Sequence, residues 1–308
     1  MSPAIEVRDL TKRYGDIRAV DGVSFSVEPG EVFAILGPNG AGKSTTVEIL
    51  EGHRRRDGGS VSVLGIDPAK GGRQYRDRVG IVLQSAGIDK ELSVREVLDL
   101  YGTAYSRRRP IDEVLDAVEL TEKADARVRS LSGGQQRRVD LALGLIGDPD
   151  LVFLDEPTTG FDPAARRRSW DLVRNLTAGG KTVVLTTHYL EEAEQLADRV
   201  VVMSGGRIVA EGTPESLRAN ADRGTVIRFA LPSVDAPLSG LLDPLVGDAS
   251  GRDRRIEIVT PAPTADLAHI TAWAVGHGIE LQGLVVESMN LEDVYLGLVG
   301  DESGEATS

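Results

Sequence analysis

Gly37-Pro38-Asn39-Gly40-Ala41-Gly42-Lys43-Ser44 decides how this chain is read. The octet fits G-x-x-x-x-G-K-[ST], the P-loop pattern that wraps a phosphate group. Its setting fits too. The apolar run Val32-Phe33-Ala34-Ile35-Leu36 precedes it, and a helical pattern over residues 44–51 follows. Such a run is expected of a strand buried on both faces of a sheet. Glycines let successive backbone N–H groups turn inward on an anion. The helix behind them points its positive N-terminal end at the same anion. Lys43 adds a point charge for the β/γ oxygens of a nucleotide, the Ser44 hydroxyl can ligate Mg²⁺, and the nucleotide-binding stretch is expected to run through Thr45.

Working outward, a phosphate loop of this kind needs a partner for Mg²⁺ and for water. The apolar run Leu151-Val152-Phe153-Leu154 ends in Asp155-Glu156. A strand delivers both carboxylates to the C-terminal rim of its sheet, where sites of α/β proteins form. Asp155 suits the Mg²⁺ role, and Glu156 is the candidate base that polarises the attacking water. Upstream, Leu131-Ser132-Gly133-Gly134-Gln135 opens another helical pattern. Ser132 reads as an N-cap, and the two glycines leave amides free for an anion. One chain therefore presents two helix-terminal anion sites. The simplest reconciliation is that the second serves a nucleotide held by another subunit.

The remaining chain supports an α/β fold. Apolar strand patterns recur at residues 80–83, 182–185 and 200–203. Helical patterns lie near 44–51, 94–105, 111–119, 134–147, 164–178 and 189–197. Strands alternating with helices argue for a largely parallel core. Residues 5–7 and 23–27 alternate with period two, as half-exposed strands of a smaller antiparallel layer do. The pattern breaks at 219–225. Beyond it a weaker pattern predicts strands at 225–231, 255–259 and 279–286, helices at 264–277 and 291–299, and a disordered acidic tail over 301–308. The division expected is 1–220, 221–300 and 301–308.

Composition narrows the function classes. The 308 residues include no cysteine, which excludes a disulfide framework, a thiolate zinc site, an iron–sulfur cluster and a cysteine nucleophile. His53, His188, His269 and His277 are too scattered for a metal cluster. No run of 18 apolar residues and no secretory signal is visible, so a cytosolic, soluble chain is expected. The formal charge is −13, and residues 231–308, with three arginines and thirteen acids, hold −10 of it. That end disfavours nucleic acid and anionic lipid as partners.

With these motifs in order, residues 4–217 resemble the nucleotide-binding subunit of an ATP-binding cassette (ABC) transporter. The signature Leu131–Gln135, with Ser132 placed 23 residues before Asp155, carries most of the likeness. The resemblance implies a P-loop NTPase fold: an ABC nucleotide-binding domain with an antiparallel β layer and a helical subdomain, here followed by a small C-terminal α+β domain. It implies a head-to-tail dimer, a homodimer or pseudo-dimer, with ATP and Mg²⁺ held between the Lys43 loop of one subunit and the Ser132 loop of the other. Tyr14, 29 residues before Lys43, falls where the family stacks an aromatic on adenine. Gln84 falls where a glutamine touches Mg²⁺ and water and communicates with the membrane partner. Asp162 matches the acid that crosses the dimer interface. His188, 33 residues past Asp155, matches the histidine that reaches the γ-phosphate. Phe161 stands where leucine is common.

Segments such as Ile49-Leu50-Glu51-Gly52 and Leu196-Ala197-Asp198-Arg199-Val200 are similar to ATPases serving ABC-2-type permeases, above all drug-efflux ATPases of the daunorubicin-resistance type. This likeness implies ATP hydrolysis that powers export through a separate membrane permease, at the cytoplasmic face. Two rival classes fit the sequence less well. A soluble ABC ATPase acting on nucleic acid or ribosomes would carry long coiled-coil insertions or a second cassette, and neither is visible here. A non-enzymatic regulator would not retain Lys43, Asp155, Glu156 and His188 together.

Overall fold

A computed structural model of the chain describes residues 2–82, 87–159, 161–220, 225–231, 239–242, 245–252 and 255–288. It separates into two compact units, Met1–Pro214 and Glu215–Ser308. The first unit opens with β1 (Ile5–Tyr14), β2 (Ile17–Val27) and β3 (Val32–Leu36), then α1 (Lys43–Leu50), β4 (Gly58–Val63), α2 (Gly72–Arg76) and β5 (Val79–Val82). Next come α3 (Val94–Gly102), α4 (Ile111–Ala117) and α5 (Gly133–Leu145). It closes with β6 (Leu151–Asp155), α6 (Pro163–Ala178), β7 (Thr182–Thr187), α7 (Leu190–Leu196), β8 (Arg199–Ser204) and β9 (Arg207–Gly212), and α8 (Pro214–Asn220) follows.

Two sheets carry this unit among the described residues. The larger has the order β5-β6-β7-β3-β8-β9, parallel except where β9 runs back against β8. β3 and β7 are buried at every position, which is why their sequences read as unbroken apolar or small runs. The smaller is antiparallel, β2-β1-β4. Its inward side chains, among them Ile5, Val7, Leu10 and Phe25, share one core with Phe33, Ile35, Phe153 and Val184 of the larger sheet. The Phe25 and Phe33 rings stack at 5.1 Å and join the layers.

Strand order fixes the site. Leu36 pairs with Thr187 across β3 and β7, and Asp155 pairs with Thr186 across β6 and β7. The phosphate loop, the Asp155-Glu156 pair and His188 therefore leave neighbouring strands at one rim. Helix starts match their chemistry. Ser132 and Gln135 form a reciprocal capping box on α5. Asp162 caps α6 by accepting the Ala165 N–H, with Pro163 in the first turn.

The second unit holds β10 (Thr225–Ala230), α9 (Ser239–Leu242), β11 (Asp248–Arg252), β12 (Arg255–Thr260), α10 (Pro263–Gly276) and β13 (Gln282–Ser288). Its sheet, β11-β12-β10-β13, is antiparallel throughout. Ile227, Phe229, Ile256 and Ile258 pack with Ile270 and Trp273 of α10 in a core of their own. The strand expected from residue 279 begins at Gln282 instead. Residues 277–279 are consumed in ending α10: Gly278 turns with φ 66°, and the Ile279 N–H reaches back to the Ala274 carbonyl at 2.9 Å. β4, β9 and β11 are strands that the apolar pattern did not announce. The helix expected at 291–299 and the tail 301–308 lie outside the described residues, as does Gln84.

Candidate functional site

The phosphate loop joins β3 to α1. Gly42 is the residue before α1 and has φ 98°, the left-handed region, and a Cβ there would collide with the Ala19 carbonyl oxygen. Only glycine fits. No side chain caps α1, so its first-turn amides are left for an anion to take up. Asn39, Gly40 and Ser44 are exposed, whereas Lys43 is buried. The Lys43 ammonium donates to the carbonyl oxygens of Gly37 at 2.7 Å and Pro38 at 3.1 Å. Burial pulls its pKa down, and the carboxylates of Glu156 and Asp155 push it back up. The loop, its lysine and the two acids thus form one electrostatic site.

The acids are themselves positioned. The Asp155 carboxylate accepts the Thr186 hydroxyl, one strand over. Glu156 follows in a left-handed conformation, φ 45°. Its backbone N–H donates to the Thr186 carbonyl and hydroxyl, both at 3.1 Å. Its two carboxylate oxygens are engaged separately: Oε1 lies 3.2 Å from His188 Nδ1, and Oε2 accepts from the Thr159 hydroxyl at 3.1 Å. The imidazole packs on the Tyr189 ring at 4.1 Å between centroids. A carboxylate held at both oxygens is oriented before any ligand arrives.

The Ser132 element approaches the acids and not the phosphate loop. Gly133 and Gly134 line a cavity of about 590 Å³ together with Glu156, Thr159, Asp162 and Asp140, and neither Lys43, Ser44 nor Tyr14 lines it. Burial raises the Asp140 carboxyl to about 6, against the pull of Arg137. Tyr14 sits at the end of β1, 39% exposed, with the Arg54 guanidinium 5.3 Å and the Lys12 ammonium 5.6 Å from its ring centroid. The ring is available rather than packed in the core. Thr159, Thr186 and Arg137 are functional positions that only the structure reveals. Threonine and arginine are common in strands and helices, and no local pattern marks these three.

A family model described as "ABC transporter" matches residues 20–159, and one described as "ABC transporter domain-containing protein-like, C-terminal domain" matches residues 225–289. The daunorubicin resistance ATP-binding protein DrrA3 of Streptomyces coeruleorubidus is 41% identical over 310 residues, covering 97% of this chain and 96% of that protein. The chain belongs to the ABC transporter family. The Nod factor export ATP-binding protein I of Burkholderia pseudomallei (strain K96243) is 47% identical to this ABC protein, covering 97% of each. Among solved structures, cbiO1 of Clostridium perfringens, part of the ABC transporter complex cbiONQ, superposes with a TM-score of 0.66 at 28% identity, over 72% of this chain and 92% of that one. A cassette solved as a dimer in a post-hydrolysis state with ADP and Pi gives 0.60 at 26% identity, over 68% and 98%. This ABC protein is an ATP-binding subunit and an ATPase, and its fold is that of the P-loop cassettes. No helix among its described residues is long and apolar enough to cross a membrane.

Proposed function

We propose that the chain hydrolyses MgATP as one of two subunits in a closed dimer, and that this drives a separate ABC-2-type permease exporting a drug, antibiotic or lipid-like compound. The export reading is supported by the names of full-length relatives, which concern daunorubicin resistance and Nod factor export. Residues 1–220 perform the ATPase work, and residues 221–300 are an accessory domain. The protein works at the cytoplasmic face of the membrane through its permease.

The observation that carries the ATPase reading is the oriented Glu156 carboxylate, 3.2 Å from His188, at the rim shared with Lys43. The α1 amides and Lys43 receive the phosphates, and Tyr14 offers its ring face to the base. The donors fit Mg²⁺: the exposed Ser44 hydroxyl and the Asp155 carboxylate are hard oxygens, and Thr186 already aims the carboxylate. Gln84 is assigned to the same ion and to water. When bound, Mg²⁺ neutralises charge on the phosphate oxygens. Glu156 accepts the proton of the attacking water, and His188 and Lys43 stabilise charge growing on the γ-phosphate. Ser132, Gly133, Gly134 and Gln135 complete the partner subunit's site, with Asp162 at the interface.

Glu156→Gln tests this. Nucleotide binding should persist and a dimer accumulate, while turnover drops about 10²- to 10⁴-fold. Near-normal turnover would remove Glu156 as the base. For the export assignment, the decisive measurement is ATP-dependent uptake into inside-out vesicles holding the chain and its permease. Lys43→Ala serves there as control.

A further inference from the structure

Glu156 is a non-glycine residue in the left-handed region, φ 45°, at the end of β6. Such a conformation is strained for any residue with a side chain and persists only where the surroundings hold it. Its own side chain is held by His188 and Thr159. The backbone on either side is held by something else. Arg137, one helical turn beyond Gly133 in α5, donates from Nη2 to the carbonyl oxygen of Asp155 at 3.1 Å. Its Nε donates to the carbonyl oxygen of Pro157 at 3.4 Å. One guanidinium therefore spans the residues immediately before and after Glu156. Asp140, on the next turn of the same helix, lies 3.8 Å from Arg137 Nη1, and both side chains are 13% exposed.

We propose that Arg137 is a positioning residue for hydrolysis: it staples the Asp155 and Pro157 carbonyls to the signature helix, and so sets the orientation of Glu156 from the element that carries Gly133 and Gly134. A shift of α5 when its N-terminus engages an anion is transmitted to the backbone of Glu156 through this fork. Arginine is the residue type suited to the task, because its planar fork offers several donors in fixed geometry. A lysine ammonium is a single nitrogen on a flexible stem and lacks the fixed, spread donors that hold two separated carbonyls at set angles. Asp140 anchors the guanidinium from behind. The inference rests on Glu156 being the base.

The test uses the full-length chain and measures single-turnover hydrolysis of bound ATP, nucleotide affinity and thermal unfolding. Arg137→Ala should slow the chemical step about 10- to 100-fold, the scale set by misplacing a catalytic group. Nucleotide affinity should stay within about twofold. Arg137→Lys should fall between it and wild type, with an unchanged unfolding midpoint. On the Glu156→Gln background Arg137→Ala should add no further loss, because both act on one group. Turnover of Arg137→Ala within about twofold of wild type, while Glu156→Gln is impaired, would overturn the staple and leave the base intact. Equal losses of affinity, stability and rate in both Arg137 variants would overturn it in favour of a merely structural role. Normal turnover by Glu156→Gln would overturn the base assignment, and the staple with it.

Discussion

Glu51 shows how burial sets the behaviour of one residue. It closes α1, is buried at 6% exposure, and has Glu48 and Asp155 as charged neighbours and His53 Nδ1 at 3.2 Å. Burial first, then the two carboxylates, push its pKa from 4.5 to about 8. The folded chain therefore holds a proton that the unfolded chain releases between these values. Stability from this group is fully present below pH 4.5 and declines as pH rises to about 8. Glu51→Gln should stabilise the fold at pH 8 by on the order of a few kcal/mol at most, read as a higher unfolding midpoint, with the gap closing toward pH 4.5. A pH series of thermal melts checks this. Lys43→Ala should lower nucleotide affinity about 10- to 100-fold, since a charge-assisted contact to phosphate is lost, and a fluorescent-nucleotide titration reads it. Lys43, Asp155 and Glu156 were legible because their motif spacing is local. The partners that aim them were not. Thr186 and Thr159 are ordinary residue types, and they matter only because the strand order brings Thr186 beside Asp155 and the turn after β6 folds Thr159 back onto Glu156.

At the scale of elements, β5 and α5 approach each other closely through two glycines. A Cβ on Gly80 would strike the Gly144 carbonyl oxygen, and one on Gly144 would meet Val82 Cγ2 at 2.6 Å. Gly80→Ala should therefore destabilise the first unit by about 1–3 kcal/mol through overpacking, as a lower denaturant midpoint will show. This contact seats the signature helix on the sheet whose rim carries Glu156. Most of the longer helices were readable from their period, and α5 also from its Ser132 N-cap, whereas the Ser93–Glu96 capping box of α3 and the Asp162 cap of α6 come from the structure. Strands with polar faces were less readable. β9 is half-buried along most of its length, so it has no apolar run, and the Gly205-Gly206 turn that creates it lies between two strands rather than inside a pattern. β13 starts late because the end of α10 claims residues 277–279.

For the whole molecule, each unit carries its own core. The Phe33–Phe153 cluster lies within the first and the Ile227–Trp273 cluster within the second. A chain ending near residue 220 should therefore unfold cooperatively and bind nucleotide within about twofold of full length, by melting and titration. Loss of nucleotide binding in that fragment would show that the second unit is needed for the site. The sequence alone determined the phosphate loop, the strand-end acids, the signature helix, the parallel core and the ABC membership, because each resides in residue chemistry at short spacing. Only the tertiary structure decided how Glu156 is held. His188 is 32 residues from it along the chain, Thr186 is 30 and Arg137 bridges its neighbours from 18 and 20 away. Contacts at those separations follow from the order β6-β7-β3 and from the seat of α5 on β5, which no local pattern encodes.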